Sequence, residues 1–387
     1  MERTVELGTL ITPAKTVRCG DGDYPVLSMT MHNGLVFQDE KFKKVIASKD
    51  TSDYKVVYRN QLVISFPIDE GVLAAQRITD AGIVSPAYGI WDIDQAKILP
   101  EFLEYALRCN RAIQYYKAKL RGSTARRRSL PTPTLLTFSV PLPGLERQLE
   151  ILDRIHKAKR LVTLREQELQ ALDDLIKARF VEMFGDMLIN PKGLPEKRLD
   201  SLADIVSGIT KGRKIKTDEL YEVPYMAVSN VKDGYIDWTT VKTIMATGGE
   251  IDQYRLMPGD VLMTEGGDPD KLGRGAIIHE PPKDCIHQNH IFRVRLKQDI
   301  LLPVFMAQYL QQQKAKRYFL GCAKQTTGIA SINMKQLSAL PVLTPQMKDQ
   351  EEYAAFVSQV DKSKAVVQKS LDETQILFDS LMQNYFG

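Results

Sequence analysis

The chain has 387 residues, 43% hydrophobic and 26% charged, an ordinary globular balance with enough length for two or three domains. No stretch approaches eighteen unbroken apolar residues, which excludes a membrane-spanning helix, and the start MERTVELGTL lacks a basic-then-apolar export signal. A net charge of +4 permits a polyanionic partner without requiring one. The four cysteines, Cys19, Cys109, Cys285 and Cys322, lack any C-x-x-C pair and read as reduced thiols of a cytoplasmic protein.

Residues 1–142 read as a strand-rich globule, with Asn33-Gly34 a turn signal and NQLVISF (60–66) a short β run. LPEFLEYALRCNRAIQYYKAKL (99–120) reads as one amphipathic helix. A long helix over 143–185 opens after SVPLPG, where proline suits a helix start. Along it Ile151, Ile155, Ala158, Val162, Arg165, Leu169, Leu172 and Ile176 recur at alternating spacings of four and three, the heptad seam of a coiled coil. Gly185 supplies a C-cap, because glycine enters the left-handed conformation without a steric penalty. DMLINPKGLP (186–195) is the linker, and 196–344 reads as a second strand-rich globule. That globule holds the strand DVLMT (260–264), the turn Asp233-Gly234 and one amphipathic helix over 302–321. Residues 345–387 form the second long helix, with the seam Tyr353, Val357, Val360, Lys364, Val367, Leu371, Thr374 and Phe378. Two matched helices of this length, each about 60 Å long at 1.5 Å per residue, are expected to pack on each other. Polar Arg165, Lys364 and Thr374 leave the seam imperfect.

The halves are copies. ARFVEMFG ends the first at Gly185 and LMQNYFG ends the second at Gly387, so Phe184 and Phe386 stand 202 positions apart. Leu169 falls on Leu371, Gln148 on Gln350, Pro143 on Pro345, Val140 on Val342 and Thr124 on Thr326 at the same offset. Earlier in each half the offset drifts, to 199 for NQLVIS on GDVLMT and to 192 for LGTL (7–10) on LDSL (199–202). A period this long marks a duplicated domain and not a solenoid. The expected class is therefore α+β: two duplicated α+β domains separated by two long antiparallel helices that form a coiled coil, with pseudo-twofold symmetry.

Charge clusters at equivalent places in the two copies. KAKLRGSTARRR (117–128) brings together Lys117, Lys119, Arg121, Arg126, Arg127 and Arg128 with the hydroxyls of Ser123 and Thr124. Its counterpart carries Lys324, Gln325, Thr326 and Thr327, and a further cluster carries Lys211, Arg213 and Lys214. Lysine and arginine neutralise phosphates, while hydroxyls and amides hydrogen-bond them. The glycine-rich TEGGDPDKLGRG (264–275) follows a strand and offers Lys271 and Arg274. HQNH (287–290) offers Gln288 and Asn289, amides that pair with adenine in two hydrogen bonds.

Catalytic signatures are missing. Cys285, His287 and His290 lack the second ligand pair that zinc requires, so no metal is expected. Neither a phosphate-binding loop nor a dinucleotide fingerprint nor a nucleophile-base set is present. The chain reads as a binder and not an enzyme.

Two variable globules, each followed by a long helix, resemble the specificity (S) subunit of type I restriction-modification systems. The residues that carry this resemblance are RFVEMFGD (179–186), GDVLMTEGGDPDKLGRGAI (259–277), HQNHIFRVR (287–295) and the proline-led helices. It covers the whole chain and implies two target-recognition domains, 1–142 and 196–344, each reading one half of a bipartite double-stranded DNA target. It further implies helices that set the spacer and dock two adenine-methylating M subunits, with R subunits joining. S-adenosylmethionine, Mg and ATP then belong to the partner subunits and no cofactor to this chain. SFPIDEGVLAAQR (65–77) stands where the second domain has its glycine-rich loop, as expected if the halves read different sequences. The rival reading is a non-catalytic coiled-coil adaptor with two protein-binding globules.

Overall fold

A computed structural model describes residues 3–31, 33–41, 50–120, 130–214, 219–268, 272–326 and 329–387. Two 40-residue helices dominate it, Leu145–Phe184 and Met347–Phe386. Both expected seams are non-exposed at every position, from Ile151 to Ile176 and from Tyr353 to Phe378. The chain divides into two compact units, one made of 1–166 with 368–387 and the other of 167–367. Each unit therefore holds one globule, the start of that globule's own long helix and the end of the other.

In the first unit a four-stranded sheet has the order Ile11–Pro13, Gly89–Ile93, Leu62–Ile64, Leu73–Ala75. Strand Thr4–Glu6 pairs with Ser139–Pro141, just before the long helix. The core gathers Leu62, Phe102, Leu103, Ile151 and Ile155 around the tail of the other long helix, Tyr385 and Phe386. The Phe386 ring lies 4.9 Å from that of Phe102 and 6.3 Å from that of Tyr105. Its carbonyl accepts hydrogen bonds from Arg111 Nε at 3.0 Å and Cys109 Sγ at 3.3 Å. A cation at a helix C-terminus satisfies an orphan carbonyl and complements the helix dipole.

The second unit repeats the plan. Its four-stranded sheet runs Ala203–Ser207, Ile291–Leu296, Val261–Thr264, Gly275–Ile277. Strand Glu196–Arg198 pairs with Pro341–Leu343, so the 192 offset at the start of each copy and the 202 offset at the end meet in one pairing. Phe180 and Phe184 pack against Phe305 and Tyr353 at ring distances of 5.0–5.6 Å. Here Arg179 pairs with Glu352 at 2.7 Å and Asp173 with Lys364 at 2.6 Å, so one index falls as the other rises and the helices run antiparallel. Lys364, which looked like a flaw in the seam, is spent on a carboxylate of the facing helix. Gly185 caps the first helix at φ +77°, donating its N–H to the Val181 carbonyl at 2.8 Å.

A buried glutamine anchors each long helix to its globule. Gln148 donates to the carbonyls of Lys97 and Pro143 at 3.0 and 2.8 Å and accepts from the Leu99 N–H at 2.8 Å. Gln350 does the same with Ile300, Pro345 and Leu302 at 3.0, 2.9 and 2.8 Å. Leu99 and Leu302 are the N-caps of helices Pro100–Arg108 and Pro303–Leu310, so one side chain serves three backbone groups that would otherwise be buried unpaired.

The helices before the basic loops differ from expectation. Residues 99–120 form two helices, Pro100–Arg108 and Asn110–Lys119, broken where Cys109 is extended at ψ 161°. Residues 302–321 likewise form Pro303–Leu310 and Gln313–Cys322. No proline or glycine marks either break; tertiary packing imposes both. The turned-over second helix buries Tyr116, whose hydroxyl donates to the Leu107 carbonyl at 3.1 Å.

Replacing Phe386 with alanine removes a fully buried ring and is expected to cost about 3–5 kcal/mol. Amide exchange should accelerate in Pro100–Arg108 and stay near wild type in Pro303–Leu310. Phe184→Ala should give the mirror pattern, and an acceleration spread equally over both helices would contradict this account of the cores.

Candidate nucleic-acid interface

Beside its main sheet the second globule carries a three-stranded sheet in the order Lys242–Ala246, Tyr221–Met226, Ile286–His287. Ile209 bridges to Gln288, which holds the start of the 210–214 segment against that sheet. Lys211 and Gln288, two of the residues expected to touch DNA, thereby line one cleft of about 190 Å³. Tyr225, Ser229, Thr240, Lys242 and Thr243 complete its polar lining, and nothing in the local sequence pattern pointed to them. Tyr225 is 6% exposed and its hydroxyl is buried with no hydrogen-bond partner among the described residues. Burial raises the Tyr225 phenol above its ordinary value while nearby Arg213 opposes the rise, so the group is a neutral hydroxyl. Asn289 follows Gln288 and is half-buried, with its N–H donated to the Ile209 carbonyl at 3.0 Å.

Arg213, grouped with Lys211 and Lys214 as phosphate-facing, is spent internally. Its guanidinium forks onto the Glu250 carboxylate, with Nη2 at 2.6 Å from Oε2, and also donates to the Met245 carbonyl at 3.1 Å. Glu250 in turn closes a capping box with Thr247 at the start of helix Gly248–Tyr254. Arg213 is thus a brace that positions Lys211, while Lys211 and Lys214 are exposed.

The glycine-rich segment and the second basic hydroxyl loop come together. Gly266–Gly267 pairs with Ile329–Ser331, which pairs with Lys324–Thr326 in a small sheet. Gly273, at φ +72°, lies against Phe319, and a Cβ there would sit 2.2 Å from the ring. Half-buried Arg274 follows it, with Nε unpartnered among the described residues, and Lys324 is exposed. Gln325 and Thr326 lie in strand Lys324–Thr326. In the first globule Lys117 and Lys119 are exposed on the last turn of helix Asn110–Lys119. Arg121, Ser123, Thr124, Arg126, Arg127, Arg128, Lys271 and Thr327 lie outside the described residues.

Cys285 and His287 serve packing. Burial pushes the Cys285 thiol up to about 12. Burial, assisted by the charge of Arg293, pushes His287 down to about 4, and its Nδ1 lies 3.1 Å from the Ile291 carbonyl. His290 instead faces outward and pairs with Glu265 at 2.6 Å. Among the described residues no three His, Cys, Asp or Glu side chains gather as metal ligands.

The Arg213–Glu250 brace has a pH signature. Hydrogen bonds from Arg213 hold the Glu250 carboxyl down at about 2, below its ordinary 4.5, against the opposing effect of burial. Its stabilisation is fully present above 4.5 and is lost as pH falls towards 2. Arg213→Ala should therefore cost about 1–3 kcal/mol at neutral pH. In denaturant unfolding the gap from wild type should narrow as pH falls below about 4.5, and a gap independent of pH would refute the assignment.

Residues 191–374 match the family model for the type I restriction modification DNA specificity domain. The putative type I restriction enzyme MjaX specificity subunit of Methanocaldococcus jannaschii is 25% identical over 187 residues, 48% of this chain and 44% of that protein. The type I restriction enzyme EcoKI specificity subunit of Escherichia coli K12 is 21% identical over 261 residues, 64% of this chain and 56% of that one. The match thus spans about half the length of these curated relatives. Among solved structures, a chain from a type I R-M system aligns over 99% of this chain and 97% of its own, with a TM-score of 0.59 and 17% identity. A type I restriction-modification S subunit from M. genitalium aligns over 100% and 96%, with a TM-score of 0.53 and 13% identity. At such identities these structures share the fold.

Proposed function

We propose that this chain is a type I restriction-modification specificity subunit, the non-catalytic cytoplasmic subunit that reads a split duplex DNA target for its complex, a reading supported by the match of residues 191–374 to the type I restriction modification DNA specificity domain. Each globule reads one half of the target. The observation that carries this reading is the duplication: one architecture is built twice, with the frame matched and the polar edges different. Gly266–Gly267 joins a three-stranded edge in the second globule, where the first has Ile68–Glu70 as a 3-10 turn. Two readers on one frame suit two unlike half-sites about one helical turn apart.

The long helices set the spacing between the half-sites and dock two M subunits, with R subunits completing the complex. S-adenosylmethionine, Mg and ATP are held by those partners. Support for docking comes from apolar side chains left exposed on both helices, including Leu149, Leu161, Val366 and Ile376.

Deleting Lys159–Arg165 together with Asp361–Val367 removes one heptad from each helix and preserves the seam. The tolerated spacer, mapped by sequencing methylated adenines in cells that carry the chain and its M partner, should shorten while both half-sites persist. An unchanged spacer with altered half-sites would sink the ruler. Replacing Arg126, Arg127 and Arg128 together with alanine should weaken duplex binding for every sequence. The logarithmic salt slope should flatten by about 0.9 for each phosphate left unneutralised. Steady affinity with a changed base preference would make these residues readers instead.

A further inference from the structure

We infer that the cleft beside Tyr225 reads an adenine in the half-target of the second globule, with Gln288 and Tyr225 on the base edge and Lys211 and Lys242 on the adjoining phosphates. This rests on the DNA reading above and assigns one position of it to named side chains.

The cleft is built in two levels. Its floor is neutral and sheltered, with Tyr225 only 6% exposed and Gln288 half-buried. Its rim is cationic, with Lys211 and Lys242 both exposed and no carboxylate among the lining residues. Phosphates reward exposed cations, whereas base edges are told apart by fixed neutral donors and acceptors. A phosphate clamp would need no buried phenol.

Two neutral groups of the floor, the Tyr225 hydroxyl and the Gln288 carboxamide, are uncommitted, unlike the two threonines beside them. Thr240 Oγ1 accepts a hydrogen bond from Asn230 Nδ2 at 2.9 Å, and Thr243 donates its hydroxyl to Glu222 at 2.6 Å. The Tyr225 hydroxyl has no partner among the described residues. The Gln288 backbone N–H is fixed to the Met226 carbonyl at 3.0 Å, which orients the residue while its carboxamide stays available to a ligand. A buried hydroxyl without a partner is a standing cost of folding that a matching ligand removes. The same property makes the site selective, because a base that fails to pair leaves the floor unsatisfied again. Adenine is the base whose N6 and N7 a carboxamide pairs with in two hydrogen bonds. The volume, about 190 Å³, admits a base edge and its water but not a folded peptide segment.

The test selects duplexes from a random-sequence DNA pool with the full chain and sequences the bound fraction. Wild type should return a split motif. Gln288→Ala and Tyr225→Phe should each reduce discrimination at one shared adenine by roughly 5- to 150-fold, leaving every position of the other half-site unchanged. Lys211→Ala and Lys242→Ala should weaken binding to all sequences and flatten its salt dependence. Thermal unfolding identical to wild type would show that Gln288→Ala is folded, and Tyr225→Phe keeps the ring that packs. The inference is overturned if the Gln288 and Tyr225 variants leave all base preferences intact, or if they weaken binding uniformly, which would make the cleft a phosphate clamp. A wild-type chain that enriches no duplex sequence overturns the DNA reading itself, and this inference with it.

Discussion

The structure depends on one constraint: each globule is closed by the end of the long helix that belongs to the other repeat. Phe386, at the end of the second helix, fills the first core against Phe102, and Phe184, at the end of the first helix, fills the second against Phe305. Neither core is complete from contiguous chain. The duplicated Phe-Gly ending is therefore a pair of plugs, each 1% exposed. Closure of this kind ties the end of each long helix to a core built by the other repeat, and so fixes the length of both helices.

That requirement explains the pattern of offsets. A single inserted residue in a helix rotates everything after it by about 100° and moves it about 1.5 Å, so neither the seam nor the distance from the Gln148 clasp to Phe184 tolerates one. From Thr124 and Thr326 onward the two copies keep the 202 offset without a gap. Loops tolerate length change at little cost, since closure entropy grows only slowly with length. The drift to 192 and 199 is confined to the strand-rich parts, where insertions enter at loops. Matched spacing between the two copies thus separates the frame from the surfaces free to vary.

The frame was legible for the same reason. The 4-3 seams, the proline-led helix starts, the Gly185 cap and the matched Gln148 and Gln350 each have a local pattern that maps to a physical role. The helix break at Cys109 was not legible, because Phe102, Ala106, Cys109, Ile113 and Tyr116 stay in helical period across it and no residue there forbids a helix. The site was legible only in part. A basic run announces Lys211, yet sequence treats Arg213 as its equal, and only the fold shows that one is exposed while the other is clamped by Glu250, 37 residues further on. Tyr225 and Lys242 carried no signal at all: each sits on a strand that pairs across the sheet, and alternation along a strand says which face a residue takes but not which cleft that face lines.

Buried polar groups without partners among the described residues occur in the frame as well as at the proposed reading surface. In the frame, Gln148 and Gln350 each make three hydrogen bonds, Lys364 has Asp173, and the Phe386 carbonyl has Arg111 and Cys109, while Arg179 Nε and the Tyr353 hydroxyl are buried without a hydrogen-bond partner among the described residues. At the proposed reading surface the Tyr225 hydroxyl and Arg274 Nε are likewise buried without a partner among the described residues. A buried group left unpaired destabilises the free protein, so its persistence on the variable surface follows if binding supplies the missing partner. Discrimination then comes from the free chain's own deficit, since a half-site that cannot fill it leaves that cost in place. In the proposed reading, the stable frame is what allows the surface of the second globule to carry such a deficit.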